Sequence, residues 1–292
     1  MSWAGKKLTR KGFLYAIIAI LHIPLLLIIY VIQPFVKIRF GYFNTDRIGH
    51  FALDLGHAII INNSKPKNEI NLYYLQDKMC NKQLEVIAKR ELNISQYYRF
   101  FCYAYVLLGL RKRIVMPHRH LTGSRDTMGL TYNSKYNITL LTSENKEAEQ
   151  YMKKYGWTQG EKFICINARD GAFFKEPKIS RHTYRNSNIE DFEVMANYLL
   201  DLGYWVVRMG KEVEKPINIK NNKLIDYGVD DNRSDLLDVW FCKNCEFIVS
   251  TGTGVDSVAM MFKKKIVFVN YIPISNIISW VNNISVPKKL FW

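Results

Sequence analysis

The sequence predicts an α/β protein built on parallel sheets, with an apolar helix ahead of them. Three observations lead there. Short apolar runs recur down the second half, the pattern of strands buried on both faces. Segments with helical spacing of apolar residues separate those runs. Residues 13–32 (FLYAIIAILHIPLLLIIYVI) carry no charge over a length close to that of a bilayer-crossing helix.

The plainest unit is residues 246–270, EFIVSTGTGVDSVAMMFKKKIVFVN. Residues 247–250 read as a buried strand, 255–262 as a helix with Val255, Val258, Ala259 and Phe262 on one side, and 266–269 as a second strand. This is a βαβ unit. Its turn, Thr251-Gly252-Thr253-Gly254, places small residues and hydroxyls at a helix N-terminus. Unpaired N–H groups and the helix dipole attract anions there, so a phosphate is the expected guest. An ordinary tight βα turn has the same composition, and the flanking units have to decide.

The 292 residues suffice for one large or two ordinary domains, and 48% hydrophobic residues supply ample core. The formal charge of +15 suits an anionic partner: a nucleotide, a nucleic acid or membrane headgroups. The basic residues are scattered and no nucleic-acid-binding motif appears, so nucleic acid is not expected. The five cysteines are few, odd in number and set in apolar runs, the usage of buried thiols in a reducing compartment. Cys242-x-x-Cys245 has no second pair to complete a zinc site and reads as core.

Lys6, Lys7, Arg10 and Lys11 precede the apolar run, and Lys37 and Arg39 follow it. Basic flanks on both sides leave the positive-inside rule without a preference. A membrane anchor or an interfacial helix, kinked at Pro24, is expected for residues 1–34. Residues 36–43 alternate like a strand, 44–50 form a polar turn holding Asp46, Arg47 and His50, and 51–61 read as a helix. A strand at 71–76, a helix at 81–92 and an aromatic-rich helix at 97–110 follow. Residues 121–135, rich in Gly, Ser, Thr and Asn, are a candidate active-site loop, and 143–155 a helix. A first domain is therefore placed at 35–158 and a second at 159–292.

The second half alternates strand and helix: strand 163–167, helix 189–202, strand 204–208, strand 223–226, helix 234–245, then the βαβ unit. Such alternation makes a parallel sheet covered on both faces, with ligands at the carboxyl ends of its strands. Arg169, Arg208 and the turn Thr251–Gly254 all fall at such ends. Their convergence favours phosphate over an ordinary turn.

Four blocks, NTDRIGHFALDLG, ARDGAFF with HTYRNSNI, YWVVRMG, and STGTGVDSVAMMFKKKIVFVNYIPI, resemble the glycosyltransferases of bacterial surface-polysaccharide loci. The layout is more distantly similar to the bacterial heptosyltransferases. The resemblance implies a GT-B-like fold of two Rossmann-like domains facing a cleft, a nucleotide-sugar donor, and a glycan or lipid-linked acceptor. It also implies a place at the cytoplasmic face of a bacterial inner membrane. In the heptosyltransferase pattern an Asp base follows the turn glycine of the acceptor half. Here Gly49 is followed by His50, Asp46 lies three residues before the glycine, and Asp54 lies in the helix after it. GT-B proteins usually close with a helix crossing back to the first half. Either this chain does without it or its C-terminus continues past Trp292.

Sugar transfer needs a base for the acceptor hydroxyl and positive charge for the departing diphosphate. His50 is the first candidate base, since imidazole titrates near neutrality, and Asp46 the second. Arg169, Arg208, Thr251, Gly252, Thr253, Gly254 and Val255, with Ser257 close by, are the expected diphosphate site. Arg181, His182 and Arg185 are candidates for the cleft wall. No Asp-x-Asp pair falls at a strand end, and Asp230-Asp231 reads as a turn, so neither metal nor other cofactor is expected. Two other classes are open: a non-catalytic, membrane-anchored scaffold that keeps the nucleotide-binding fold, and a nucleotide-dependent oxidoreductase. The second is disfavoured by the lack of a Gly-x-Gly-x-x-Gly turn with a distant acidic partner.

Overall fold

A computed structural model describes residues 10–114, 126, 129–172, 183–278 and 280–290, with the side chains of 10–13 and 276 excluded. The described chain opens with α1 (Arg10–Leu21) and α2 (Ile23–Ile32), which meet at His22 two residues before the helix-breaking Pro24. The first sheet follows, with β1 (Lys37–Phe43), α3 (Ile48–Ser64), β2 (Glu69–Leu75), α4 (Lys82–Glu91) and β3 (Asn93–Ile94). Its three strands are parallel in the order β1-β2-β3. Then come α5 (Arg99–Leu107), the single turn α6 (Leu130–Asn133) and α7 (Thr142–Lys153).

The second sheet is built from β4 (Phe163–Asn167), α8 (Glu193–Asp201), β5 (Trp205–Arg208), β6 (Leu224–Ile225), α9 (Asp235–Asn244), β7 (Phe247–Ser250), α10 (Asp256–Met261), β8 (Lys265–Tyr271) and β9 (Asn283–Pro287). Its strands are all parallel, in the order β6-β5-β4-β7-β8-β9. This is the doubly wound order, which reverses direction between β4 and β7. Buried β4 (FICIN) and β5 (WVVR) have no exposed residue, as a central parallel strand requires.

Several expected boundaries shift. The polar turn expected at 44–50 ends earlier, because Arg47 is extended and α3 begins at Ile48, so Gly49 and His50 belong to its first turn. The helix expected at 97–110 is a 3-10 turn followed by the shorter α5. Strand β9 was not anticipated from its sequence, since only its pairing with β8 holds it extended. The candidate loop at 121–135 falls partly outside the described residues. Its described end forms α6, whose first amides, Leu130 N and Thr131 N, donate to the Asp126 carboxylate at 2.8 and 2.6 Å.

Alternation on β1 and β2 sends Phe43, Tyr73 and Leu75 to one face and Phe40 and Tyr74 to the other. The first face packs on α3 in a core that continues across to the second sheet, through residues such as Leu55, Ile59, Val258, Met261 and Phe268. The other face is covered by α1, α2 and α5. Helix α7 lies before the expected boundary near 158, yet Tyr151 of that helix packs on Phe241 of α9 and donates to Asp230 at 2.6 Å.

The two halves meet where α3 runs along α10. A Cβ on Gly49 would lie 3.0 Å from Gly254 Cα, and one on Gly254 would lie 2.9 Å from Ile48 Cγ2 and 3.1 Å from Gly49 N. Two turns further on, a Cβ on Gly56 would strike Met261 Cγ at 2.7 Å. Backbone therefore rests on backbone, which explains a glycine inside a helix despite its cost of about 1 kcal/mol. Two polar clamps flank this seam. Asp235, at the start of α9, accepts from Lys82 N at 2.6 Å, and its carbonyl accepts from Asn81 Nδ2 at 3.1 Å. Lys263, past the end of α10, donates to the Tyr136 carbonyl at 2.9 Å.

Gly254→Ala tests the seam: its methyl has only backbone and a branched side chain to displace. It is expected to cost about 1–3 kcal/mol, the usual range for overpacking, read as a lower urea midpoint.

Candidate functional site at the sheet's switch point

Ligands of doubly wound sheets sit beyond the carboxyl ends of the strands where the order reverses. Here that point lies between β4 and β7, which end in Asn167 and Ser250. The two ends are stitched together. Thr251 N donates to the Asn167 carbonyl at 3.3 Å, Asn167 Nδ2 donates to Thr253 Oγ1, and Arg169 N donates to Thr251 Oγ1 at 2.8 Å. The segment after the undescribed stretch returns to the same place: Ser187 N donates to the Arg169 carbonyl at 2.8 Å.

That return brings Arg185 beside Arg169. Arg185 Nη2 donates to the Gly252 carbonyl at 2.7 Å, and its Nε is buried without a partner among the described residues. Arg169 Nε donates to Asn186 Oδ1 at 3.3 Å. Burial and then the neighbouring Arg185 charge hold the Arg169 guanidinium below its ordinary range. Two like charges crowded in a half-buried place favour a bound anion.

The turn itself differs from expectation. Its amides are not bare: Gly252 N donates to Ser250 Oγ at 3.3 Å, Thr253 N to Asp256 Oδ2 at 2.6 Å, and Val255 N to Thr253 Oγ1 at 3.3 Å. The anion at this helix start is the protein's own Asp256, buried and also bonded to Ser250. Gly252 is glycine because its φ is +86° and a Cβ would lie 2.7 Å from the Tyr271 ring. Gly254 is glycine because of Gly49. Val255 packs into the core, and Ser257 is buried, its Oγ 3.4 Å from where a Cβ on Gly49 would be. The amide cradle proposed for Thr251, Gly252, Thr253, Gly254 and Val255 is thus filled from within at Thr251, Gly252, Thr253 and Val255. Positive charge at this place comes from Arg169 and Arg185.

Arg208 is a second correction. The strand end that carries it lies inside the protein, and its side chain is fully buried. Its guanidinium donates to Asp226 Oδ1 at 3.0 Å and to the Lys215 carbonyl at 3.1 Å, with Asp170 3.9 Å away. A Cβ on Gly228 would lie 2.7 Å from its Nη1. Arg208 is a buried ion-pair hub with no open side to offer a ligand.

The candidate bases stand at the rim of the seam. His50 and Asp46 are both exposed, and His50 directly follows the glycine that touches Gly254. The fold therefore brings the first-half turn against the second-half turn, as a two-half site requires. Arg181 and His182 lie outside the described residues. Asn167, Asn186 and Ser187, which place the two arginines, were not singled out from the sequence. Asn and Ser have no distinctive spacing, and only the return of the loop onto β4 gives them a role.

Two cavities open near strand ends. One, about 660 Å³, lies at the end of β2 and is lined by Gln76, Asp77, Gln96, Arg99 and Phe100, with Tyr15 of α1 in its wall. The other, about 640 Å³, lies beyond β4 and β5 and is lined by Gly171, Glu212, Glu214 and Gly228. Neither is lined by Arg169, Arg185 or His50. No group of three His, Cys, Asp or Glu suited to a metal occurs among the described residues. Asp230 holds the Tyr151 and Tyr155 hydroxyls, and these bonds with that from Asn232 N bring it down to about 2 against the opposing effect of burial. All five cysteines are free thiols, and all but Cys80 are buried.

No family model matches the chain, and no curated protein does. Among solved structures, the glycosyl transferase family 9 protein from Veillonella parvula DSM 2008 superimposes with a TM-score of 0.50. It is 12% identical, over 87% of this chain and 86% of that one. The fold is GT-B-like. The E. coli ADP-heptose LPS heptosyltransferase II gives a TM-score of 0.45 at 10% identity, over 80% of this chain and 86% of its own. The E. coli heptosyltransferase WaaC with ADP gives 0.45 at 9%, over 85% and 93%. At these identities the likeness is one of architecture.

Arg208 and Arg169 are separable by stability. Arg208→Ala strands Asp226 without its cation and is expected to cost about 3–5 kcal/mol. Arg169→Ala relieves a repulsion and should stay within about 1 kcal/mol of wild type in urea unfolding.

Asp256 sets a pH dependence. Burial pushes it up to about 6, with Ser250, Thr253 and Arg185 opposing. The folded state therefore binds this proton more tightly than the unfolded chain. The resulting stability is fully present below the ordinary carboxylate range and is lost as pH rises through 6. Relative to Asp256→Asn, the wild-type urea midpoint should rise as pH falls from 7 to 4.

Proposed function

We propose that the chain is a glycosyltransferase that moves a sugar from a nucleotide-sugar donor to a glycan or lipid-linked acceptor. The observation that carries this reading is the Arg169–Arg185 pair at the switch point of a Rossmann-ordered sheet, bonded to the turn whose Gly254 touches Gly49, the residue before His50. The likeness to a glycosyl transferase family 9 structure supports the fold such an enzyme uses.

In this reading the donor's diphosphate lies against Arg169 and Arg185. An acceptor hydroxyl attacks the anomeric carbon, the bond from that carbon to the diphosphate oxygen breaks, and the electron pair leaves on the diphosphate. The arginines offset the charge that develops there, the task a divalent cation performs elsewhere, so transfer proceeds without metal. His50 takes the hydroxyl proton, with Asp46 as the second candidate. Work with a cytoplasmic nucleotide-sugar at the inner membrane of a bacterium fits the apolar N-terminal helix.

One observation favours the scaffold alternative. The turn that would grip a phosphate is occupied by Asp256, and Arg208 is committed to Asp226. Titration calorimetry with UDP-, ADP-, GDP- and CMP-sugars distinguishes the readings. One donor is expected to bind. Arg169→Ala and Arg185→Ala should each weaken it about tenfold or more, the worth of a charge-assisted hydrogen bond. His50→Ala should keep binding and lose turnover. No binding by any donor overturns the glycosyltransferase reading, and binding without turnover establishes the scaffold.

A further inference from the structure

Helices α1 and α2 together offer 19 residues, Leu14–Ile32, long and apolar enough to cross a membrane. Their packing is that of a cover on the first sheet. Ala19, His22 and Leu26 are buried, one on each successive turn, against a cluster containing Phe40, Tyr74, Phe101 and Tyr105. The His22 ring sits 4.9 Å from Tyr97 and from Phe101 and 5.5 Å from Phe100, and its Nδ1 bonds the Ile18 carbonyl at 2.7 Å. Tyr15 packs on Phe100 at 5.7 Å, and Ile29 joins the same cluster at the other end. From residue 15 to residue 29 the contact runs about 20 Å along the helix axis. A helix crossing the bilayer on its own would have to leave Phe40, Tyr74 and Phe101 uncovered.

The opposite side of the pair is open. Leu21, Leu27, Val31 and Phe35 are 68%, 62%, 71% and 78% exposed. The apolar surface continues onto the tip of α5 through Leu107 and Leu108. Contiguous apolar surface of this kind on a folded chain marks an interaction site.

Charge identifies the occupant. Neither residues 10–45 nor residues 92–125 contain a single Asp or Glu. Exposed Arg111, Lys112 and Arg113 follow the α5 tip, and exposed Lys37 follows α2. The Arg113 guanidinium carbon lies 5.4 Å from the centre of the Tyr30 ring, which ties the basic turn to the end of α2. Glu69 stands opposite Lys37 and pairs with Arg39 at 3.3 Å, while the Arg111–Arg113 turn lies within a stretch free of acidic residues. Apolar side chains edged by that cationic turn and a tyrosine match the boundary between acyl chains and anionic headgroups.

We propose that this composite face docks on an anionic phospholipid bilayer with α1 and α2 lying in its plane. The apolar outer side enters the acyl boundary, and Arg111, Lys112, Arg113 and Lys37 meet lipid phosphates. Both ends of the helix pair then stay on the side of the folded body. This surface is separate from the Arg169–Arg185 site and stands whether or not that site transfers sugar.

The test is flotation of the full chain, carrying a cleavable N-terminal peptide tag, on sealed vesicles of phosphatidylcholine alone or with 30% phosphatidylglycerol, about the anionic content such surfaces require. Binding is expected with phosphatidylglycerol, weakened by high salt, with the tag fully cleaved by protease added outside. Leu27→Glu with Val31→Glu should lose binding to both vesicles. Arg111→Glu with Arg113→Glu should lose about thirtyfold or more on the anionic vesicles and little on the neutral ones. An unchanged thermal midpoint in each variant shows that the fold survives. A tag protected inside the vesicles overturns the in-plane arrangement. No binding by the wild type overturns the membrane assignment, and a stable dimer split by Leu27→Glu with Val31→Glu would then identify a second copy as the occupant. Equal binding by the Arg111→Glu, Arg113→Glu variant overturns the part given to charge.

Discussion

The backbones of Gly49 and Gly254 touch, and the placement of everything functional depends on that contact. Two sheets with separate strand orders could face each other at many angles. Here the start of α3 meets the turn before α10 backbone to backbone at Gly49 and Gly254, so the start of one helix is held against the start of the other. Backbone-on-backbone packing tolerates little sliding, because any shift brings Ile48 or Met261 into hard contact. The seam therefore fixes where His50 stands relative to the turn that follows β7. The glycines that looked like a phosphate cradle are used to make this approach possible.

The charged residues at the strand ends divide by what faces them. Arg208 has carboxylates within the protein and is consumed by them. Asp256 occupies the helix start that an external anion would otherwise take, and its burial raises its proton affinity. Arg185 donates to the Gly252 carbonyl and acts on the Asp256 charge, while Arg169 donates to the Asn186 side chain with Arg185 beside it. Burial and the Arg185 charge together hold Arg169 below its ordinary range, which separates it from the ion-paired Arg208 on the neighbouring strand.

The first sheet has three strands among the described residues and needs cover on both faces. Helix α3 supplies one side, and α1, α2 and α5 supply the other. The N-terminal helices thus serve the core with Ala19, His22 and Leu26 while keeping an apolar outer surface. A soluble helix normally turns polar residues outward; these do not, and the two aspects belong to one pair of helices.

Much of this was legible in the residue order. Apolar runs bounded by small residues placed β4, β5 and β7, since a strand buried on both faces leaves no room for polar alternation. The charge-free stretch before Gln33 and the arginines at strand ends were equally plain. Tertiary structure alone decided what those residues face. Arg169 and Arg208 occupy similar positions in sequence, two residues beyond and at the end of a strand, yet one borders the switch point and the other is enclosed by Asp226 and Gly228. The same holds for the Thr-Gly-Thr-Gly turn, whose amides found Asp256, Ser250 and Thr253 before any ligand could. Local sequence determines which backbone conformations are affordable, while the partner of a charge or an amide is set by chain that arrives from far away.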